Sequence, residues 1–460
     1  MRSPETSFRR RTPLAPLLRK ELWEVVGGRA LWTMLLLVCP LIGYSYVQAV
    51  SLYGEASTAG QQSPVLATSL SPLDGILVPT FGAAYVAVTL LFPFVAIRVL
   101  GREKETGALR LLVQLPYRTS TLIAAKLGAV LAAWLVVSVP ALSSLFIWKL
   151  SGGHLSTGET VNLIFGHLLY GLLVGATALF AASVSESSAT AAIITLAFTI
   201  GSWVLDFTIA GRPGFLEWIA RLSLTQVLRP FEQGLLSAGV IAGVVAAICG
   251  FATLAGIWLP PGNLVQTKVV RSAGCVLAVI IVGLAASRIG LAVDVTEDRR
   301  NSFSIADQRT LGTLTEPLVV TVHLAPEDPR FQDLRQNVLA KLERAMSNVS
   351  IRLASGRPSF GSQTADDAYG QIELAYGSRS DTTRSTSPRE ILPMLYGFAG
   401  VEPPVSSPGG EYPGYPLIAE ERAASAWYFG GLPLLILFAW WWSRRPPRIN
   451  NARITKEANP

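Results

Sequence analysis

An α-helical polytopic membrane protein of about eight transmembrane helices, with a small extracytoplasmic α/β domain, is the fold class that three observations predict. Half of the 460 residues are hydrophobic and 15% are charged, with a mean hydropathy of +0.42, more apolar than a soluble chain of this length requires. Apolar runs of roughly 20 residues, each long enough to cross a hydrocarbon core, recur along the chain. One long polar stretch, residues 294–424, interrupts them before the last run.

Residues 1–28 form a basic leader. Leu14, Leu17, Leu18, Leu22 and Val25 recur on one helical face of it, with Arg19, Lys20, Glu21 and Glu24 on the other. No cleavable signal peptide is expected, because the first apolar run is long enough to span. The runs cover 30–50, 77–100, 121–148, 161–184, 189–209, 235–259, 273–293 and 426–442.

Basic residues beside these runs set the orientation, since Lys and Arg are retained on the cytoplasmic side. Arg9, Arg10, Arg11, Arg19 and Lys20 precede the first run, Arg98, Arg102, Lys104, Arg110 and Arg118 follow the second, and Arg444, Arg445 and Arg448 follow the last. Loops 51–76 and 151–160 contain neither Lys nor Arg. Both termini are therefore expected in the cytoplasm. Residues 210–232 dissent, with Arg212, Arg221 and Arg229 on the outer side. They read as a re-entrant or interfacial segment whose arginines snorkel to headgroups, the alternative being a miscounted span.

Several function classes fall away. The net charge of +7 is spread beside apolar runs and makes no basic face, so no nucleic acid partner is expected. Cys39, Cys249 and Cys275 sit inside apolar runs and read as small buried hydrophobes, not as a disulfide framework or metal site. No G-x-x-x-x-G-K-[ST], H-E-x-x-H or G-x-S-x-G occurs, and His154, His167 and His323 are far apart, so no catalytic, cofactor or metal site is expected on this chain. His167, inside the fourth run, either lines a polar path or is a neutral imidazole hydrogen-bonded to a neighbouring helix.

The stretch GREKETGALRLLVQLP, residues 101–116, is charged and amphipathic between two apolar runs. Glu103 and Glu105 suit a helix N-terminus, Gly101 and Gly107 allow chain reversal, and Pro116 stops the element. Ala108, Leu111, Leu112 and Leu115 give it one apolar face. One short helix over about 102–115 is predicted, either resting on lipid headgroups or docking into a groove of a cytoplasmic partner.

The succession Arg102, Glu103, Lys104, Glu105, Thr106, Gly107, Ala108, Leu109, then Leu111, Leu112 and Pro116, then Lys126, resembles the signature of the ABC type-2 exporter permeases. The family usually has Thr-Leu where this chain has Ala108-Leu109. Two further segments carry the likeness. PLLRKELWEVVGGRALW, with Lys20, Glu21 and Trp23, resembles the family's elbow helix. LRPFEQGLLSAGVI, with Arg229, Pro230, Phe231 and Gly234, resembles the turn into the sixth span in its gliding-motility and copper-processing branches.

The resemblance covers about residues 14–260. It implies a six-helix permease domain over 29–260 whose coupling helix, about 102–115, docks into a separate cytoplasmic ABC ATPase that binds ATP and Mg, with a second permease copy completing a homodimer.

Beyond it, residues 261–293 hold a cytoplasmic loop with Lys268 and Arg271 and the seventh run. Within 294–400, EPLVVTVHLAP alternates like a strand, and Phe331, Leu334, Val338, Leu342 and Met346 recur at helical spacing. NVSIRLA and QIELAYG read as further strands, implying a small α/β sandwich. AVDVTEDRRNSFSIADQRTLGTL, with Asp294, Thr296, Glu297, Asp298, Ser302, Ser304 and Leu314, resembles the start of the auxiliary subunit of gliding-motility ABC systems, here fused and shortened. Residues 401–424 are rich in Pro and Gly and read as a semi-rigid linker, 425–443 as the eighth span and 444–460 as a basic tail. The expected function is ATP-driven export across the bacterial inner membrane. Alternatives are mechanotransmission to an envelope partner, a protein or glycan held by residues 294–400, and a non-transporting scaffold.

Overall fold

The computed structural model describes residues 14–115, 117–209, 223–325, 328–354, 369–404 and 412–444. Among them, eight helices are long and apolar enough to cross a membrane: Arg29–Gln62, Leu73–Glu105, Thr119–Leu150, Thr157–Val184, Ser188–Leu205, Ala238–Trp258, Val265–Ala286 and Glu421–Ser443. We refer to them as spans one to eight. Span one has 34 residues, about 51 Å at 1.5 Å per residue, so it projects well past a core of roughly 30 Å.

The amphipathic helix Leu14–Val26 buries Leu17, Glu21 and Val25 and lies along the start of span three. The chain turns at Gly27 and Gly28, and the Trp32 indole N–H donates to the Val26 carbonyl at 2.6 Å to fix that corner. Span four is enclosed by spans two, three, five and six. Lipid supplies no hydrophobic drive between helices, so close packing decides such contacts. A Cβ at Gly171 would strike the Trp134 indole of span three. Span eight closes on spans one and three: the Cys39 thiol of span one donates to the Tyr428 carbonyl at 3.2 Å, and the Tyr428 hydroxyl donates to the Pro140 carbonyl of span three at 3.0 Å.

Several ends of the predicted runs are corrected: span one runs on to Gln62, and span seven already starts at Val265, so Lys268 and Arg271, expected in a loop, lie in its first turns. Span six begins at Ala238, because Leu235–Ser237 form a strand, β1, and span seven is Val265–Ala286, because Ala292–Asp294 form its antiparallel partner β2. Apolar residues serve a lipid-buried helix and a short paired strand equally well, so composition ran the two together.

After β2 comes the α/β unit. Its four strands, β3 (Leu318–Val322), β4 (Val349–Leu353), β5 (Ile372–Tyr376) and β6 (Arg379–Thr383), lie in the order β4-β3-β5-β6, with β3 parallel to β4 and antiparallel to β5. One face of the sheet, through Leu318, Val320, Val322, Ile372 and Leu374, shares a core with helical residues 329–345 and with Pro388–Ala399. All five residues of the predicted helix stripe, Phe331, Leu334, Val338, Leu342 and Met346, lie in that core. Strand β6 and the helices Ile305–Gly312 and Pro388–Ala399 had no counterpart in the sequence pattern.

Residues 412–420 lie against the end of span one and the loop after it. The Tyr415 N–H donates to the Leu70 carbonyl at 3.1 Å, the Tyr53 hydroxyl donates to the Tyr415 carbonyl at 2.7 Å, and the Leu417 N–H donates to the Ser57 hydroxyl at 3.0 Å. Of the predicted tail, Arg445 and Arg448 lie outside the described residues, as do Arg9 to Arg11, Pro116, Arg212 and Arg221.

Candidate functional site

The charged stretch after span two is two elements, not the single helix expected over 102–115. Span two continues through Glu105. It ends because Gly107 adopts φ 76°, a left-handed conformation that glycine tolerates and that stops a helix. The Thr106 and Gly107 N–H groups close the last turn on the Arg102 and Lys104 carbonyls. A second, short helix then runs Ala108–Gln114. Glu103 and Glu105 thus stand at a helix C-terminus, where the macrodipole disfavours them.

Pairing compensates. Glu103 is 3% exposed and meets Lys126 of span three, whose Nζ lies 2.6 Å from Glu103 Oε2, 3.1 Å from Glu21 Oε1 and 2.8 Å from the Val99 carbonyl. Lys20 also bridges to Glu103 and reaches Glu24 at 3.4 Å. Burial raises the pKa of Glu21 despite the opposing pull of Lys126. Burial works against the charge on Lys20, but the bond to Glu103 and the neighbouring carboxylates outweigh it and raise its pKa. Oxygens of Glu21, Glu24 and Glu103 lie within 4.8 Å of one another, a spacing that suits a metal ion. The ammonium groups of Lys20 and Lys126 occupy the role of that cation here.

The remaining residues of the stretch divide by direction. Lys104 turns inward and donates to the Ala182, Ser183 and Ser185 carbonyls at 2.9, 2.8 and 2.6 Å, capping the end of span four. Glu105 accepts from the Ser188 hydroxyl at 2.5 Å. Leu109 is buried, whereas Leu111 is 68% exposed, and Arg102 and Thr106 are also exposed. Leu111, Leu112 and Leu115 border an open groove of about 660 Å³ with Lys20, Glu24 and Arg102. Trp23 projects outward from the Leu14–Val26 helix, 54% exposed.

Arg229, Pro230 and Phe231 fall in the helix Leu224–Glu232, which packs on spans four and five. Phe231 is fully buried against Gly166, and its carbonyl accepts from Asn162 Nδ2 at 2.9 Å. Ser223 donates to the Ser202 carbonyl at 2.9 Å, so this helix begins beside the end of span five. Residues 210–222 of the expected re-entrant segment lie outside the described residues. Gly234, at φ 73°, sits against Thr296 at the mouth of the α/β unit. His167 packs on Phe81 with ring centroids 5.1 Å apart, and its Nε2 has no hydrogen-bond partner among the described residues, so the expected bond to a neighbouring helix is not formed through that nitrogen.

At the opposite end of span two, charged contacts absent from the sequence reading join the α/β unit to the spans. Arg300 bridges to Asp74 and, at 2.9 Å, to Asp298. The Glu297 N–H donates to Glu159 at 2.9 Å, and the Glu297 carboxylate meets His154 Nε2 at 2.8 Å, with the imidazole stacked on Tyr415. Asp294 accepts from the Thr296 hydroxyl, Ser302 hydroxyl and Asn301 N–H at 2.6, 2.7 and 3.0 Å. Burial would raise its pKa, but these hydrogen bonds prevail and lower it.

Residues 15–211 match the family model described as ABC-2 family transporter protein. No curated protein and no solved structure matches the chain. The matched range runs from the amphipathic helix past span five and so contains the whole Lys20, Glu21, Glu103 and Lys126 cluster, but not the α/β unit. Membrane subunits of that family normally work with a cytoplasmic ABC ATPase in a separate subunit.

Proposed function

We propose that the chain is the permease subunit of an ABC exporter in the bacterial inner membrane, with both termini in the cytoplasm and a homodimeric arrangement. The helix Ala108–Gln114 docks in the ATPase, which binds ATP and Mg. The observation that carries this reading is the contrast within one short stretch. Leu111 is exposed, while Glu103, in the last turn of span two before the break at Gly107, is locked to span three and to the amphipathic helix. A push on the exposed helix therefore reaches three elements through charged groups in a setting of low dielectric, where such bonds are strong. Co-purification of the ATPase with Leu111→Asp tests it: full retention of the ATPase overturns the docking assignment.

Mechanotransmission is the second reading, and a specific observation favours it. The contacts of Arg300 with Asp74 and of Glu297 with Glu159 tie the α/β unit to the ends of spans two and four. Movement of those spans is then delivered to a protein or glycan held by that unit without any substrate crossing. ATP turnover that alters labelling of the α/β unit in a chain that exports nothing supports this reading over export.

A further inference from the structure

A cavity of about 450 Å³ lies between the Leu14–Val26 helix, the Gly27–Gly28 corner and the ends of spans two and five, a volume in the usual range of small-ligand sites. Its wall carries three guanidiniums, Arg29, Arg98 and Arg102, and three carboxylates, Glu21, Glu24 and Glu105. Among the described residues, none of the three guanidiniums forms an ion pair. Glu24 instead pairs with Lys20, and Glu105 accepts from Ser188. The decisive group is Glu21: the residue is 3% exposed, its Oε1 is taken by Lys126, and its Oε2 is buried with no partner. A buried carboxylate oxygen left bare costs free energy unless a donor arrives. Gly28 caps span one without a side chain, so the first N–H groups of that 34-residue helix are also open.

The depth of the cavity limits what can fill it. Leu31, Val95 and Val99 line it beside the charged groups, and Arg98 stands two turns from the end of span two. That is where apolar span meets polar surface, the level of lipid headgroups. Among the described residues the wall thus offers three unpaired guanidiniums and one carboxylate oxygen without a donor, which suits a molecule carrying both signs apart. We propose that this cavity binds the phosphoethanolamine headgroup of a bilayer lipid, with its phosphate on Arg29, Arg98 and Arg102 and its ammonium on Glu21 Oε2 and Glu24. Arginine suits the phosphate through paired N–H donors, and a primary ammonium supplies the hydrogen that Glu21 lacks. A choline headgroup has no such hydrogen, and a glycerol headgroup carries no cation.

The inference concerns binding and stands independently of transport. Native mass spectrometry of the delipidated full chain, offered equal amounts of dioleoyl phosphatidylethanolamine, phosphatidylcholine and phosphatidylglycerol, reads it directly. Retention of phosphatidylethanolamine at least about tenfold above the other two is expected, roughly 1.4 kcal/mol. Arg29→Gln combined with Arg98→Gln, both exposed positions, reduces that preference, as does Glu24→Gln on a different helix. Equal retention of the three lipids, preference for phosphatidylglycerol, displacement by millimolar inorganic phosphate, or an unchanged preference in the variants overturns the assignment.

Discussion

Lys126 Nζ sits 2.6 Å from Glu103 Oε2, and both side chains are all but closed to solvent. A lone charge in such a place is costly, whereas a matched set is tolerated. The pair therefore fixes how the end of span two meets the start of span three, and Glu21 brings the amphipathic helix into the same arrangement.

Removing the cation alone exposes this dependence. Lys126→Ala leaves Glu21 and Glu103 buried without their shared partner and is expected to cost about 3 to 5 kcal/mol. Thermal unfolding of the full chain in detergent measures it. Lys126→Met combined with Glu103→Leu is expected to be markedly less destabilised than Lys126→Ala, and an additive double variant contradicts the pairing.

Leu111 and Glu103 separate docking from internal structure. Leu111→Asp changes an exposed side chain, so the variant is expected to remain folded but lose the ATPase in a pull-down, by several kcal/mol if the contact is dry. Glu103→Lys places a third cation beside Lys20 and Lys126 and is expected to lower the unfolding temperature of the chain itself. A Glu103→Lys chain as stable as the parent would contradict the buried network.

The orientation of the spans is testable at Thr382, exposed on the edge strand β6, and at Arg110, exposed on the proposed docking helix. In a chain with Cys39, Cys249 and Cys275 replaced, Thr382→Cys is expected to react with an impermeant maleimide in spheroplasts. Arg110→Cys is expected to react only after lysis. The reverse pattern inverts the topology.

Asp294 organises the entry to the α/β unit, and its lowered pKa sets a direction for pH. A depressed carboxyl contributes its stability fully above its ordinary pKa near 4 and loses it as pH falls through the lower folded value. Hydrogen exchange over residues 292–304, corrected for intrinsic rates, is therefore expected to show equal protection at pH 7 and pH 5. Asp294→Asn removes charge-assisted bonds worth about 1.5 to 3 kcal/mol and is expected to lose protection at both.

Apolar length was legible because a span must satisfy its backbone internally and face lipid, which leaves a long signal. The stripe from Phe331 to Met346 was legible for a similar reason, since helical spacing survives in any core. The division at Gly107 was harder to see. The sequence around it is compatible with one helix, and only the backbone angle shows that Glu103 belongs to the span before it. Lys126 carried a signal, as a charge inside an apolar run, but its partners lie 23 and 105 residues away. Periodicity holds no information about such pairs. The same applies to Arg300 and Asp74, and to β6, whose residues Arg379–Thr383 are polar on both faces and alternate in no readable way.

The facing ends of spans one and two, with the loop between them, hold the α/β unit at Arg300 and the segment after it at Tyr415 and Leu417. Ser71 and Asp74 take Arg300 near the start of the unit, while Ser57 and Leu70 take Leu417 and Tyr415 on the way out. A body fastened by one cord swings freely, but a body with both feet on one plank tilts only when the plank does. The insert is thus moored to the first two spans at two separated places, and a turn about either mooring is opposed by the other.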